Sequence, residues 1–437
     1  MKLIKRLKLD MKDSGIEWIG DIPNDWKVNR IKDEVLIDSE YITEKTNPDT
    51  EIKYVEITSV ESTGLIREPE SLLFKNAPSR ARRIIKNGDT IISTVRPYLQ
   101  SIAFFKKAEP NLIVSTGFAT LSPKMGLEPK FVYYYAFSHF FLCYMVSRSV
   151  GVSYPAVNQK ELDTIPFLKP SIQEQQIIVS YLDFEISKIQ QLVEIKKRQI
   201  EFLLEYEKSL IHNAITKGLD TNAKMKDSGV DWIGDTPSDW KLLRIKSVCD
   251  LVGGGTPKTN NPEYWEGGTI PWAIPTDFQN SPGMEINSTE EKITEKGLKE
   301  SSATLIPAGS VIMCSRASIG DCKINKVPIS TNQGFCSFIC KGVQNKYLSY
   351  MIISGLNQEL QKRATKSTFA EISRGKISQI KIPVPERPEQ EKISAFLDLE
   401  TSKLHQVRNN LELEIAQLEE YEKSVIYGIM TGKLMVS

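Results

Sequence analysis

The chain has 437 residues, of which 25% are charged and 40% are hydrophobic, and its formal net charge is +1. This length exceeds what one hydrophobic core usually organises, so two or three domains are expected. The balanced charge excludes a uniformly basic nucleic-acid-binding protein, although local basic patches remain compatible with it. The first residues are basic and no apolar run follows them, so we expect no signal peptide.

The longest apolar run, FVYYYAFSHFFLCYMV at 131–146, is short for a membrane span and predicts a buried helix. The six cysteines are Cys143, Cys249, Cys314, Cys322, Cys336 and Cys340. No CxxC pair and no nearby histidine completes a zinc site. The cysteines are therefore interpreted as free thiols in a reducing cytoplasm, where we expect the protein.

A tryptophan-rich segment occurs twice. Residues 11–32, MKDSGIEWIGDIPNDWKVNRIK, return at 225–246 as MKDSGVDWIGDTPSDWKLLRIK, with 16 of 22 positions identical. We call these the tryptophan segments. Their spacing is too long for a solenoid repeat and indicates a duplicated half-protein. Each half contains a tryptophan segment, a variable globular domain and a long helix.

The two variable domains show the same order of elements with little sequence in common. The predicted elements of the first domain are strands at 53–59, 90–95 and 112–116, a turn at 87–89 and an aromatic helix from about Pro129. Those of the second are strands at 310–314, 328–331 and 335–340 and a helix at 346–363. Two short segments of the first domain resemble segments of the second, 88–92 with 309–313 and 114–116 with 329–331, and we call these pairs the echoes. They indicate one scaffold with two different surfaces.

Each half ends in a heptad-spaced helix. The first runs from about Glu174 to about Ala214 and the second starts at about Glu389. The seam residues are Leu182, Ile189, Lys196, Leu203 and Leu210, then Leu397, Leu404, Leu411, Leu418 and Val425. This spacing predicts two coiled-coil rods of roughly 60 Å each, which pack antiparallel. The alternative is a helical hairpin that packs on some other core.

Two further features concern these helices. Proline-rich joints at 165–170 and 382–385 should end a strand and let each helix begin. Lys196 is the polar residue of the first seam and should lie near the level of Leu411. Its ammonium could reach water or an acid such as Glu412 or Glu414, as long amphipathic side chains do.

Basic residues concentrate in both variable domains. Eight basic residues face one acid between Lys75 and Lys107, and ten face three between Gly309 and Lys376. Such patches are typical of phosphate contacts, although a solvated surface is the alternative. The candidate DNA-binding residues are Lys75, Arg80, Arg82, Arg83, Arg96, Tyr98, Ser153, Tyr154, Lys258, Thr259, Asn260, Arg316, Lys323, Asn332, Gln333, Lys366, Thr368 and Arg374.

Among these candidates, the base readers should be side chains of fixed donor geometry. Arg96 and Arg316 are expected at equivalent points of the two echoes, and Asn332-Gln333 directly follows a strand. The run Gly253-Gly254-Gly255 could admit a phosphate to backbone amides, or it could simply be a turn. It lacks the P-loop frame, so no nucleotide site follows from it.

The sequence contains no complete enzyme signature among those considered. GxGxxG after a strand, HExxH and GxSxG are all missing. Asp49, Glu51 and Lys53 resemble a nuclease pattern, but its parts are adjacent in sequence instead of lying on separate strands. The sequence therefore predicts a non-catalytic protein without a bound metal or cofactor of its own.

Three motifs together resemble the specificity subunit of type I restriction–modification systems. They are SGxxWIGxxPxxWxxxRIK in the tryptophan segments, IPxPxxxEQxxI ahead of the long helix (complete at 382–393), and LxxYEKSxI near the end of each helix. The second domain also has Gly255-Thr256-Pro257, Tyr264-Trp265 and Ile270-Pro271-Trp272, which are similar to segments of that family's recognition domains. The first domain lacks that run.

The resemblance implies an α+β fold in which two α/β target recognition domains are joined by two long antiparallel coiled-coil helices, in pseudo-twofold duplicated halves. The implied parts are an N-terminal segment (1–32), recognition domain one (33–164), a central region with the first long helix (165–224), the repeated tryptophan segment (225–246), recognition domain two (247–380) and a C-terminal region with the second long helix (381–437).

The function implied by this resemblance is recognition of a split, asymmetric DNA sequence, one half by each domain, with the helices setting the spacing. Two modification subunits with S-adenosylmethionine would dock on the helices, and restriction subunits with ATP and magnesium would join them. The alternative is a coiled-coil adaptor that bridges two protein ligands without DNA. A self-contained methyltransferase or nuclease is the remaining possibility.

Overall fold

The computed structural model describes residues 2–61, 64–365 and 370–437. It divides into two compact units, of which the first contains residues 1–196 and 412–437 and the second residues 197–411. The strands are β1 (Leu3–Lys5), β2 (Met11–Asp13), β3 (Asp21–Pro23), β4 (Lys27–Arg30), β5 (Val35–Ile37), β6 (Glu51–Val55), β7 (Glu70–Leu73), β8 (Ala81–Ile84), β9 (Thr90–Ser93), β10 (Ile102–Phe104), β11 (Leu112–Ser115), β12 (Phe118–Pro123), β13 (Pro166–Lys169), β14 (Met225–Asp227), β15 (Asp235–Pro237), β16 (Lys241–Arg244), β17 (Cys249–Gly253), β18 (Ile270–Ala273), β19 (Glu285–Ile286), β20 (Lys292–Ile293), β21 (Val311–Cys314), β22 (Cys322–Asn325), β23 (Ser330–Thr331), β24 (Phe335–Cys340), β25 (Lys381–Val384) and β26 (Leu434–Val436). The α-helices are α1 (Ile31–Glu34), α2 (Pro129–Phe137), α3 (His139–Ser147), α4 (Gln159–Asp163), α5 (Ile172–Lys217), α6 (Ile245–Val248), α7 (Pro275–Asn280), α8 (Glu295–Lys299), α9 (Asn345–Ile353), α10 (Gly355–Arg363), α11 (Arg374–Ser378) and α12 (Arg387–Met430).

The two long helices α5 and α12 confirm the heptad prediction and extend it by a few residues at their ends. In the first unit, early residues of α5 share a buried cluster with late residues of α12, namely Leu182 and Ile186 with Val425 and Ile429. In the second unit the late part of α5 joins the early part of α12, through Ile211 and Ile215 with Ile393 and Leu397. The two helices therefore run antiparallel within each unit.

The predicted seam is most buried where it enters the cores. The buried seam residues are Leu182, Ile189, Leu397 and Val425, whereas Lys196, Leu203, Leu210, Leu404, Leu411 and Leu418 are partly exposed. Lys196 pairs with Glu414, one of the two acids expected from the sequence. Its side chain is 22% exposed, so most of its alkyl stem is covered while the ammonium reaches a carboxylate.

The first unit contains two larger sheets. One has the order β10-β9-β12-β5 and the other β7-β6-β11-β8, in which β6 and β11 run parallel. The strands β9 and β11 confirm the predictions at 90–95 and 112–116 to within one or two residues. The strand predicted at 53–59 is wrong beyond Val55, because the chain turns into a 3₁₀ helix at Ile57–Ser59.

The second unit repeats this frame. One sheet has the order β17-β24-β21-β22-β19, and another has β20-β18-β23 with β18 and β23 parallel. Ser93 of β9 faces Phe118 of β12, and Cys314 of β21 faces Phe335 of β24 in the same way. The prediction of one scaffold with two surfaces is therefore confirmed at the level of strand order and register.

The aromatic helix predicted at 131–146 is two helices in the structure. Ser138 adopts an extended backbone (ψ 143°) between α2 and α3, and its hydroxyl donates to the Tyr135 carbonyl at 2.6 Å. The helix predicted at 346–363 is interrupted at the matching point, Ser354, between α9 and α10. A serine hydroxyl that bonds the preceding turn competes with helix continuation, which explains the first of these breaks.

Each tryptophan segment anchors the start of a long helix. The proline-rich joints form β13 and β25, which pair with β4 and β16 at the end of the tryptophan segments. The fully buried Trp26 donates its indole N–H to the Glu174 carboxylate at 3.0 Å, and Trp240 donates to Glu389 at 3.1 Å. Burial raises the pKa of both carboxyl groups, so each indole hydrogen bond stabilises a charge that is partly removed from water.

Among the described residues, one pair of strands in the first unit has no counterpart in the second. The strand β1 pairs antiparallel with β26, with Leu3 opposite Val436. Arg6, directly after β1, forms an ion pair with Glu174 at the start of α5. The first unit is therefore closed by both ends of the described chain.

We expect Trp240→Phe to lower stability by about 1.5–3 kcal/mol, because it leaves the partly buried Glu389 carboxylate without its indole donor. Trp26→Phe should cost less, because Glu174 keeps its ion pair with Arg6. The measurement is urea unfolding followed by circular dichroism. Trp18→Phe is the matched control, since Trp18 is 42% exposed and should shift the midpoint little. Equal shifts for all three variants would mean that the indole–carboxylate bonds contribute no more than ordinary packing.

Candidate nucleic-acid interface

Equivalent loops follow the central strands β9 and β21. Arg96 (φ 50°) and Ala317 (φ 54°) both adopt the left-handed backbone region, three residues after these strands end. The residues just before them, Val95 and Arg316, each bridge to a second segment, at Ala156 and Glu371. The expected equivalence of Arg96 and Arg316 is therefore wrong by one residue, because Arg316 occupies the place of Val95.

Arg96 is held firmly at the surface of the first unit. Its Nε and one terminal nitrogen donate to the Ser153 carbonyl at 3.3 and 3.1 Å. Its guanidinium carbon lies 4.2 Å from the centre of the Tyr154 ring, in a cation–π contact. Tyr98 lies two residues after Arg96 on the same loop and is 51% exposed. The structure thus brings four predicted site residues, Arg96, Tyr98, Ser153 and Tyr154, to the same region of the surface.

Exposed apolar side chains lie on the two segments that meet at Arg96, and the sequence analysis did not identify them. They are Leu99, Val150 and Val152, of which Val152 is fully exposed. Large apolar residues that are exposed together commonly mark a binding surface. Apolar contact also distinguishes the methyl group of thymine in the major groove. The one signal in the sequence that could have indicated these exposed residues is the alternation of valine with glycine and serine at 150–153.

Half of the eight basic residues of the first patch already have acidic partners. The segment 38–49 supplies the acids, and the pairs are Arg83 with Asp38, Lys86 with Glu40, Arg82 with Glu44 and Lys75 with Asp49. Burial lowers the pKa of the Arg83 guanidinium and raises that of Asp38, which marks this pair as internal. The charge count at 75–107 therefore overestimates the basic surface, and Arg80 and Arg96 remain the exposed or stacked candidates.

The candidates of the second unit divide into internal and surface groups. Lys323 is buried and donates to the Ser281 and Gly283 carbonyls, and burial lowers the pKa of its ammonium. Arg316 pairs with Glu371 at 2.9 Å and is half exposed. Arg374 lies at the start of α11, against the backbone of Gly253. Lys258, Thr259 and Asn260 are exposed, whereas Lys366 and Thr368 lie outside the described residues.

The glycine run has a packing reason. The amide of Gly255 donates to the Thr331 carbonyl at 2.8 Å, and a Cβ on Gly254 would lie 2.0 Å from the Asn332 carbonyl oxygen. Only glycine permits such a close approach of two backbones. Because the Gly255 amide is used internally, the phosphate-binding interpretation of this run is not supported. Next to it, Gln333 is exposed and its amide oxygen accepts the Thr256 hydroxyl at 2.5 Å.

The described residues contain no group of three or more side chains suited to a metal ion. The parts of the nuclease-like pattern separate, since Asp49 pairs with Lys75 while Lys53 pairs with Glu109 at 2.6 Å. In the part of the chain that the structure covers, no helix is both long and apolar enough to cross a membrane.

Comparison with known proteins shows which family this chain resembles. The profile of the type I restriction modification DNA specificity domain matches this chain twice, at residues 23–222 and 237–415. The MjaIX specificity subunit of Methanocaldococcus jannaschii is 40% identical over 167 residues, which are 38% of this chain and 38% of that protein. The EcoR124I/EcoR124II specificity subunit of Escherichia coli is 33% identical over 199 residues, 44% of this chain and 48% of that protein. The chain thus aligns with less than half of the length of either relative.

A solved chain, described as part of the complex assembly and conformational transition of the type I R-M system, has a similar fold. Its TM-score is 0.77 at 24% identity, and the match covers 94% of this chain and 99% of that one. The two profile matches span most of the sequence; the first includes all of α5, and the second ends at residue 415, within α12. The chain belongs to the family of type I restriction modification DNA specificity domains, of which it contains two.

Proposed function

We propose that this chain is the DNA sequence-recognition subunit of a type I restriction–modification complex. Each of its two recognition domains, 33–164 and 247–380, would bind one half of a bipartite, asymmetric target. The observation that carries the proposal is the pair of equivalent loops after β9 and β21. The backbone frame of these loops is shared, while their side chains differ, as expected for two readers with different base preferences.

Arg96 is the best-supported base reader. Arginine reads guanine through two parallel hydrogen bonds, which requires a guanidinium of fixed orientation. The contacts of Arg96 with Ser153 and Tyr154 supply that orientation before DNA binds. In the second domain, Gln333 and Arg374 are the corresponding surface candidates, and Arg316 would first have to leave Glu371.

The long helices are proposed to set the spacing and to bind the modification subunits. Apolar side chains remain exposed on them, including Phe184, 58% exposed, in the first unit and Phe202, 68% exposed, in the second. A coiled-coil seam does not use these faces, so they are available to partner proteins. S-adenosylmethionine would be carried by modification subunits, and ATP with magnesium by restriction subunits. We propose that this chain itself binds none of these cofactors and acts in the cytoplasm.

The alternative, an adaptor that bridges two proteins, is distinguished by the salt dependence of DNA binding. A DNA reader loses affinity linearly with the logarithm of salt concentration, because phosphate contacts release counterions. Binding of fluorescent duplex by the chain with its modification subunits should show this slope. A flat response, or no binding of duplex, would favour the adaptor.

We expect Arg96→Ala to weaken discrimination at one half-site by about 1–3 kcal/mol and to leave the preference at the other half unchanged. The measurement is mapping of methylated sites, together with competition between duplexes that carry single-base changes. Tyr154→Phe is the matched control, since it keeps the ring that stacks on Arg96. Arg316→Ala should affect only the other half-site. A uniform loss on all sequences would show that the substituted arginine contacts phosphate.

The purified chain should transfer no methyl group and cut no DNA by itself. The reason is the lack of any catalytic signature in the sequence and of a metal-binding group among the described residues. Duplex DNA incubated with labelled S-adenosylmethionine tests this, and addition of the modification subunit is the positive control. Methyl transfer by the chain alone would contradict the proposal.

Insertion of four residues after Lys197, with four more after Leu411, should lengthen both helices by about 6 Å at the ~1.5 Å rise per residue. That length corresponds to about one to two base pairs at ~3.4 Å each. Both half-site sequences should stay the same while the preferred gap between them grows, as mapped by methylation. A control insertion of the same length in the exposed loop 219–222, which contains none of the candidate DNA-binding residues, should leave the gap unchanged. If the helix insertions also leave it unchanged, the helices do not set the spacing.

A further inference from the structure

Two thiols of the second unit face each other on neighbouring strands. Cys249 begins β17 and Cys340 ends β24, and the two residues are direct partners in the antiparallel register. Their Sγ atoms lie 4.0 Å apart. The equivalent partners in the first unit are Val35 and Pro123, so this pair of thiols is a feature of the second recognition domain.

The backbone around this pair suits a cross-strand bond. The Lys341 amide donates to the Val248 carbonyl at 2.8 Å, so the next pair along falls at a non-hydrogen-bonded position of the ladder. Opposite Cα atoms at such positions are about 4.5 Å apart, at the short end of the disulfide range. Rotation of the two side chains therefore suffices to bring the sulfur atoms into bonding distance.

The other cysteines of the second unit are less well placed. Cys336 faces Gly253 and Met313 across the sheet, and it lies four residues from Cys340, about 13 Å along a strand. Cys314 faces Phe335, and Cys322 faces Met313. Cys249 is thus the one thiol among these that shares a register position with Cys340.

The two thiols also differ in access and in acidity. Cys340 is partly exposed, whereas Cys249 is 2% exposed. A hydrogen bond from the Cys249 thiol lowers the pKa of Cys340, and the nearby Arg387 guanidinium acts in the same direction. The same hydrogen bond and burial raise the pKa of Cys249. An accessible thiol of lowered pKa next to a buried thiol is the usual arrangement of an attacking and a resolving cysteine.

We propose that Cys249 and Cys340 are a reversible oxidation site that closes to a disulfide when the protein meets a peroxide. The Cys340 thiolate attacks one peroxide oxygen, the O–O bond breaks, and a sulfenic acid forms while hydroxide leaves and takes up a proton. The Cys249 sulfur then attacks the Cys340 sulfur, the S–O bond breaks, and a second water leaves. Two thiols and one hydrogen peroxide thus give one disulfide and two waters.

The test uses the full chain, treated with hydrogen peroxide and then alkylated under denaturing conditions. Digestion must cleave after Phe338, because trypsin alone leaves Cys336 and Cys340 in one peptide. We expect a Cys249 peptide linked to a Cys340 peptide, lighter than the sum of the two by two hydrogen atoms. Dithiothreitol should restore both free thiols.

Matched variants separate the roles of the two thiols. In Cys249→Ser, Cys340 should stop at the sulfenic or sulfinic acid, whereas in Cys340→Ser the buried Cys249 should stay reduced. Cys336→Ser should leave the link intact. A link that contains Cys336, or an oxidised Cys340 beside an unlinked Cys249 in the unaltered chain, would overturn the proposal. The presence or absence of the Cys249–Cys340 link is measured on the unaltered chain, so the proposal is tested even if a variant folds poorly.

Discussion

Each unit depends on apolar residues that both long helices supply. In the first unit Leu182 and Val425 belong to one buried cluster, and in the second Ile215 and Leu397 belong to another. Burial of a large aliphatic side chain stabilises a fold by about 1.5–3 kcal/mol, so these helix ends are a substantial part of each core. A globular domain of this chain is therefore not separable from its helices, which constrains how the recognition surfaces can vary. Loops can change freely only where they lie outside these clusters.

The parts of the fold that the sequence predicted are those with a strong local pattern. Heptad spacing specified α5 and α12, and the repeated tryptophan segment indicated the duplication. The interruptions at Ser138 and Ser354 were not predictable in the same way. A single serine in an aromatic run is compatible with a continuous helix, and the extended conformation of Ser138 depends on its bond to Tyr135.

The residue types of the candidate site were predictable from the sequence, whereas the contacts between these residues were less so. Arg96 and Tyr154 are 58 positions apart, and their contact depends on the bridge between Val95 and Ala156. Basic residues could be counted along the chain, but the acids at 38–49 that neutralise them come from a different stretch. Likewise, the role of the glycine run could not be predicted from the sequence. It depends on the hydrogen bond from the Gly255 amide to the Thr331 carbonyl, which comes from a distant part of the chain.

The pairing of β1 with β26 also has a consequence for biosynthesis. The second unit is one continuous stretch, 197–411, and can fold as soon as that stretch has left the ribosome. The first unit needs Ile426 and Met430 for its core and β26 for its last sheet, so it stays incomplete until β26 has been synthesised. The domain synthesised first is thus the domain that folds last. Until then the apolar surface near Leu182 lacks its partner residues on α12, and transiently exposed apolar surface of this kind favours aggregation.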